Sequence, residues 1–307
     1  MWSAKMIEKT VKGVVATVGV FDGVHLGHVK VLEAVCSRAK ELGLLAAVLT
    51  FDPHPDVVLG KSGIDRFLLT TRHEKELLLA NLGVDLAMVV EFTPELARMD
   101  TPDFVQKYLL GSLCLRELVI GHDFRMGKDR EGDKALLGRL GSKFGFTVAD
   151  VEAVLLDGSP VSSTRVRGAV SAGDMVAAAR LLGRNYSVEG IVAKGEGIGK
   201  DLGFPTANLS IDEKKLLPPD GVYAGLAEVR GGIFKAAINI GVRPTVGGVN
   251  RLAEAHFIGF CGDIVGEQVS LHFVVRMRPE RKFPNREELR KAIASDVEKI
   301  IYLLTTP

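Results

Sequence analysis

Short, strongly apolar runs alternate with helical patterns through the first half of the chain. Residues 14–20, 45–51, 86–92 and 118–121 are nearly continuous in apolar side chains, as strands buried on both faces of a parallel sheet must be. Between them Val29, Leu32, Cys36, Ala39 and Leu42 recur at helical spacing. Thr71-x-x-Glu74 has the form of a capping box, opening a helix that Gly83 ends. Thr101-Pro102 reads as a cap followed by a first-turn proline. This alternation predicts a doubly wound parallel α/β sheet, whose ligands sit at the carboxyl ends of its strands. A helix over 174–182 stops at Gly183, and the pattern then changes. Short strands over 187–193, 222–229, 234–240, 253–257 and 268–277, separated by Gly, Pro and Asn, predict a small antiparallel β-barrel. One helix closes the chain, capped by Asn285-x-x-Glu288, with Leu289, Ile293, Val297, Ile300 and Leu304 as its apolar stripe. The pattern therefore predicts an α/β domain over 1–183 and a barrel domain with a C-terminal helix over 184–307.

Composition agrees with two ordinary globular domains. The chain has 307 residues, 47% hydrophobic and 25% charged, and domains commonly span roughly 100–200 residues. Its 39 Lys and Arg balance 38 Asp and Glu, which argues against a dedicated nucleic-acid binder. The four cations Arg276, Arg278, Arg281 and Lys282 lack interleaved aromatics and read as a solvated face. Gly is in excess, 34 residues against a usual ~7%, so many positions must turn sharply or meet a ligand closely. Cys36, Cys114 and Cys261 form no C-x-x-C pair, which predicts neither disulfides nor a zinc site and suits a reducing compartment. The first residues lack a signal-peptide core, and the apolar run 44–49 is far short of the ~20 residues that cross a bilayer. A cytoplasmic protein without membrane contact is expected.

The most informative segment is Gly19-Val20-Phe21-Asp22-Gly23-Val24-His25-Leu26-Gly27-His28, between an apolar strand and a helix. Such a junction brings backbone N–H groups and a positive dipole end to one spot. Gly23 and Gly27 let a phosphate approach the backbone. His25 and His28 can face one ligand, donating to a nucleotide α-phosphate as it gains charge. Two other readings stand beside this one: both histidines cap the helix, or they chelate zinc, although no third ligand is near. Ser163, Thr164 and Arg167 place hydroxyls and a guanidinium at a second junction, suited to phosphate oxygens or to an ordinary N-cap with a solvated arginine.

Gly195-Glu196-Gly197-Ile198-Gly199-Lys200 lacks the spacing and the Ser or Thr of a P-loop. Thr206 and Asn208, two apart, share a face of an extended segment. Their oxygens are acceptable Mg²⁺ ligands, or they are turn residues after Pro205. Glu254 in a predicted strand is either solvent-facing or a general base.

G-x-F-D-G-x-H-x-G-H resembles the signature of the H-x-G-H nucleotidyltransferases. Over nearly its whole length the chain is similar to the bacterial bifunctional riboflavin kinase/FAD synthetases. The resemblance is carried by Thr50-Phe51-Asp52-Pro53-His54-Pro55, Gly121-His122-Asp123-Phe124-Arg125-Met126-Gly127, Val161-Ser162-Ser163-Thr164-Arg165-Val166-Arg167, Gly203-Phe204-Pro205-Thr206-Ala207-Asn208 and Asn239-Ile240-Gly241-Val242-Arg243-Pro244-Thr245. It implies an FMN adenylyltransferase whose nucleotide site uses Gly19, Phe21, Asp22, Gly23, Gly27, Asp123, Ser163, Thr164 and Arg167, with His25 and His28 catalytic. It also implies a riboflavin kinase. There Gly195, Gly199 and Lys200 form a glycine flap over ATP, Thr206 and Asn208 hold Mg²⁺, and Glu254 takes the proton from the ribityl hydroxyl. ATP, riboflavin, FMN and FAD are the implied substrates and products. Met126, Val246 and the 259–266 segment depart from the family pattern. An adenylyl- or cytidylyltransferase for another phosphate ester, and a flavin- or RNA-binding regulator, are the rival readings.

Overall fold

The computed structural model describes residues 12–60, 68–195, 198–245 and 248–305. Two compact units divide it, Met1–Ile64 with Arg72–Ser162 and Asp65–Thr71 with Ser163–Pro307.

The first unit holds five parallel strands, β1 (Val14–Val18), β2 (Leu45–Asp52), β3 (Leu86–Glu91), β4 (Leu115–Gly121) and β5 (Thr147–Val151), in the order β3-β2-β1-β4-β5. Every residue of β1 is buried. Val14, Ala16 and Val18 join one core with Leu49, Phe104 and Leu118, while Val15 joins another with Val31, Val35 and Val119. The period of two sends alternate side chains to opposite faces, and both faces are covered. The principal helices are α1 (Leu26–Leu42), α2 (Arg72–Asn81) and α3 (Lys134–Phe144). Strand order reverses at β1, which has β2 on one side and β4 on the other, so a crevice opens at the carboxyl ends of β1 and β4. One expected cap is corrected. The turn Thr101–Phe104 is capped by Asp100, whose carboxylate accepts from the Asp103 N–H at 2.9 Å. Thr101 is instead buried inside the turn.

The second unit begins with α4 (Ser163–Ala172) and α5 (Met175–Leu182). The sequence pattern puts these helices before the 183/184 boundary, but α5 packs on two barrel strands and buries Met175, Ala178, Leu181 and Leu182. The barrel strands are β6 (Tyr186–Ala193), β7 (Ala207–Ser210), β8 (Gly221–Val229), β9 (Gly232–Thr245), β10 (Gly248–Phe257) and β11 (Gln268–Arg278), closed in the order β8-β9-β10-β7-β6-β11. α6 (Arg286–Leu303) follows, capped by Asn285 as the sequence predicts. Leu68–Thr71 belongs to this unit. Leu68 bridges Lys215, which is 1% exposed, and the Lys215 ammonium donates to the Leu69 carbonyl at 2.6 Å beneath the Tyr186 ring. Among the described residues, no helix is long and apolar enough to cross a membrane.

Candidate functional site

A cavity of about 240 Å³ lies at the carboxyl ends of β1 and β4, and Gly19, Phe21, His25, Gly27, His28 and Asp123 all line it. The loop after β1 has the left-handed backbone at Phe21 (φ 51°), Gly23 (φ 81°) and Val24 (φ 39°). For a non-glycine such a conformation costs about 1–3 kcal/mol, and it persists only where surrounding contacts over-determine it. Two glycines are needed for closeness. A Cβ on Gly19 would sit 2.9 Å from the Phe21 ring, and one on Gly27 would sit 3.1 Å from the His25 ring. His25 does cap α1, its Nδ1 accepting from the His28 N–H at 3.3 Å. A neutral ring that accepts at Nδ1 carries its proton at Nε2, so capping leaves His25 a donor. The two imidazoles stack at 3.7 Å and 15°, with Phe21 5.1 Å from His28. Capping and ligand binding are thus compatible, and among the described residues no trio of His, Cys, Asp or Glu is placed to hold a metal.

Other predicted residues fall outside the lining. Asp22 is 3% exposed and, like Gly23, belongs to the loop without lining the cavity. Ser163, Thr164 and Arg167 stand on α4 in the second unit, whereas Ser162, which the motif reading did not single out, does line the cavity. His54 is accounted for locally, its Nδ1 accepting from Asp56 N–H at 3.1 Å to cap a short turn. Met126 is buried in the α/β core.

The second unit has its own cavity, of about 350 Å³, lined by Gly199, Thr206, Asn208 and Glu254. Asn208 on β7 lies opposite Glu254 on β10, and Glu254 lies opposite Asn239 on β9. The three form a row across three strands, and Asn239 also lines the cavity. Ala253, Ala255 and Phe257 are buried on the other face of β10, which leaves Glu254 and His256 toward the cavity. His256 Nδ1 lies 2.9 Å from the Pro205 carbonyl, its ring edge-on to Phe204, so it fixes the loop that carries Thr206. Among the described residues, Asn208 Oδ1 is buried with no hydrogen-bond partner, an arrangement that costs about 1–3 kcal/mol. An open amide oxygen beside a hydroxyl is a hard donor set and fits Mg²⁺. A Cβ on Gly195 would collide with the Asn208 amide, and one on Gly199 would lie 2.5 Å from Phe204 O and 3.0 Å from Thr206 Oγ1. Lys200 is exposed and outside the lining. Glu196, Gly197 and Val246 lie outside the described residues.

The basic stretch at the end of β11 is not simply solvated. Arg276 donates to the Asp220 carbonyl at 2.7 Å. Arg278 lines the cavity and makes a two-pronged bond to buried Asp296 of α6, at 2.7–3.2 Å.

A family model for FAD synthetase matches residues 7–165, and one for riboflavin kinase matches residues 182–304. A bifunctional riboflavin kinase/FMN adenylyltransferase of Haemophilus influenzae is 36% identical over 292 residues, covering 94% of this chain and 94% of that protein. The chain belongs to this bifunctional riboflavin kinase/FMN adenylyltransferase family. The Bacillus subtilis member is also 36% identical, over 96% of this chain and 93% of its own. A crystal structure from Streptococcus pneumoniae, named as a macrolide-efflux protein, shares the fold. Its TM-score is 0.85 at 27% identity, with 97% of this chain and 96% of that one covered. The FAD synthetase match thus comes first in the chain and the riboflavin kinase match second, each with a cavity lined within its own unit.

Proposed function

We propose that the barrel transfers the γ-phosphoryl group of ATP to the ribityl hydroxyl of riboflavin, giving FMN and ADP. The α/β unit then joins FMN to the AMP part of a second ATP, giving FAD and pyrophosphate. The observation that carries this reading is the Asn208–Glu254–Asn239 row, with its open buried oxygen, in a chain whose other unit presents two stacked imidazoles at a helix start.

In the barrel, Glu254 accepts the proton of the 5′-hydroxyl as the phosphoryl group arrives. Thr206 and Asn208 would hold Mg²⁺, which when bound neutralises charge on the ATP phosphates. Gly195, Gly199 and Lys200 border the phosphates, and the two glycines keep the loop close to Thr206 and Asn208. In the α/β unit, His25 and His28 donate to the α-phosphate oxygen that gains charge. Gly19, Phe21, Asp22, Gly23, Gly27 and Asp123 shape the nucleotide site. Ser163, Thr164 and Arg167 carry donor chemistry suited to the departing pyrophosphate, an assignment that rests on the sequence motif. The functional domains are taken as 1–183 and 184–307. Three free cysteines suit a reducing cytoplasm.

The test is incubation of the full chain with ATP, Mg²⁺ and riboflavin, following FMN and FAD by chromatography. Sequential appearance of both is expected. FMN without FAD would remove the second reaction, and neither product would overturn the reading.

A further inference from the structure

Lys75 is used by none of the chemistry above. It lies near the start of α2, in the polar run Arg72-His73-Glu74-Lys75-Glu76, yet it is 7% exposed. Its ammonium donates to Val20 O at 3.1 Å, Thr50 Oγ1 at 3.2 Å and Phe51 O at 3.4 Å. A lysine has three N–H donors, and each has an acceptor here. The Thr50 hydroxyl also donates to Val20 O, at 3.1 Å. The Val20 carbonyl therefore receives two bonds immediately before the left-handed turn at Phe21, Gly23 and Val24 that delivers His25 and His28. Burial pushes the Lys75 amine below its ordinary value, and the Asp22 and Asp52 carboxylates oppose that shift. A buried cation is a costly means of filling volume, since an apolar side chain of similar size does so without desolvating a charge.

We propose that Lys75 is a positioning residue for adenylyl transfer. Its ammonium ties the loop after β1 to the end of β2, and so fixes where the His25–His28 pair stands relative to the nucleotide. The inference rests on reading the first unit as the adenylyltransferase.

The test uses the full-length chain with K75M, T50V, H28A and the K75M/H28A double variant. Turnover and KM for ATP are measured for FAD formation from added FMN, and FMN formation from riboflavin is followed alongside. Misplacement of reacting groups can cost about 10²-fold. K75M is therefore expected to lower kcat about 10–100-fold with KM for ATP within about threefold, and T50V to lower kcat by about 3–10-fold. FMN formation should stay within about twofold. Because Lys75 acts through the histidine loop, K75M/H28A should fall within about threefold of H28A alone. The inference is overturned if K75M and T50V both keep near-normal FAD turnover. It is also overturned if the loss appears only in KM, or if the K75M and H28A losses multiply in full. Should K75M fail to fold, T50V decides alone. A wild-type chain that makes no FAD would overturn the adenylyltransferase reading itself, whereas normal FAD synthesis by both variants would overturn only the role of Lys75.

Discussion

Glu254 faces its cavity from a strand whose other face is packed core, so its backbone is held whatever its side chain does. Glu254→Gln keeps the size and one acceptor but removes the basicity. FMN formation in single turnover with saturating Mg²⁺–ATP should fall about 10²–10⁴-fold, with riboflavin binding little changed and FAD formation from added FMN intact. Near-normal turnover would leave Glu254 an ordinary strand residue. His28→Ala removes a donor from the other cavity. It should lower FAD formation about 10²–10³-fold and spare FMN formation, and equal loss of both products in a folded chain would contradict separate sites. The histidines and their glycines were legible because their chemistry lies in ten consecutive residues. Lys75 was not, since its acceptors stand 24 to 55 positions away in the chain. Asn239 opens the motif that runs to Thr245, and only its register opposite Glu254 brings it to the row.

Between elements, Glu117 makes a directional tie. This β4 carboxylate accepts from Arg38 Nε and from a terminal guanidinium nitrogen of α1, both at 2.9 Å, and from Thr147 Oγ1 of β5 at 3.2 Å. The Arg38 hydrogen bond holds its carboxyl below the ordinary range, more than burial raises it. A depressed carboxyl stabilises the fold above the unfolded value of about 4.3 and loses that contribution as pH falls through the lower folded value. Glu117→Gln should therefore lower the melting temperature at pH 7, by a stability of about 1 kcal/mol because Arg38 is partly solvated. Melts by circular dichroism should show the gap to wild type closing in acid, and a constant gap would refute the coupling. β1, β2 and β4 were readable as apolar runs because both of their faces are covered, and β3, a partly buried edge strand, because its side chains are apolar from Leu86 to Val90. β5, the other edge strand, escaped notice because Thr147 and Asp150, the latter paired with Lys134, break its five residues into too short an apolar run. β7 has four residues and two polar side chains, too little period to register.

At the scale of the whole molecule, the barrel's stability includes helices that the sequence pattern assigned to the preceding domain. A fragment 163–307 retains α4 and α5, whereas one beginning at Tyr186 uncovers the faces of β6 and β11 on which α5 packs. The longer fragment is expected to fold, to form FMN and to melt higher than the shorter. Equal melting temperatures would show that the helices contribute nothing to the barrel. Both fragments also lack Leu68–Thr71, so Lys215 loses the Leu69 carbonyl that its ammonium meets in the intact chain. The change of pattern at Gly183 marked where strands replace helices, which is not where the packing divides. The capture of Leu68–Thr71 has a further consequence, for inheritance rather than for chemistry. A piece of the second unit is encoded between β2 and α2 of the first, so no single break in the gene yields two complete modules. Splitting the coding sequence after Ser162 would leave that piece in the wrong polypeptide. A barrel grafted from another family member would have to accept this chain's Leu68 and Leu69.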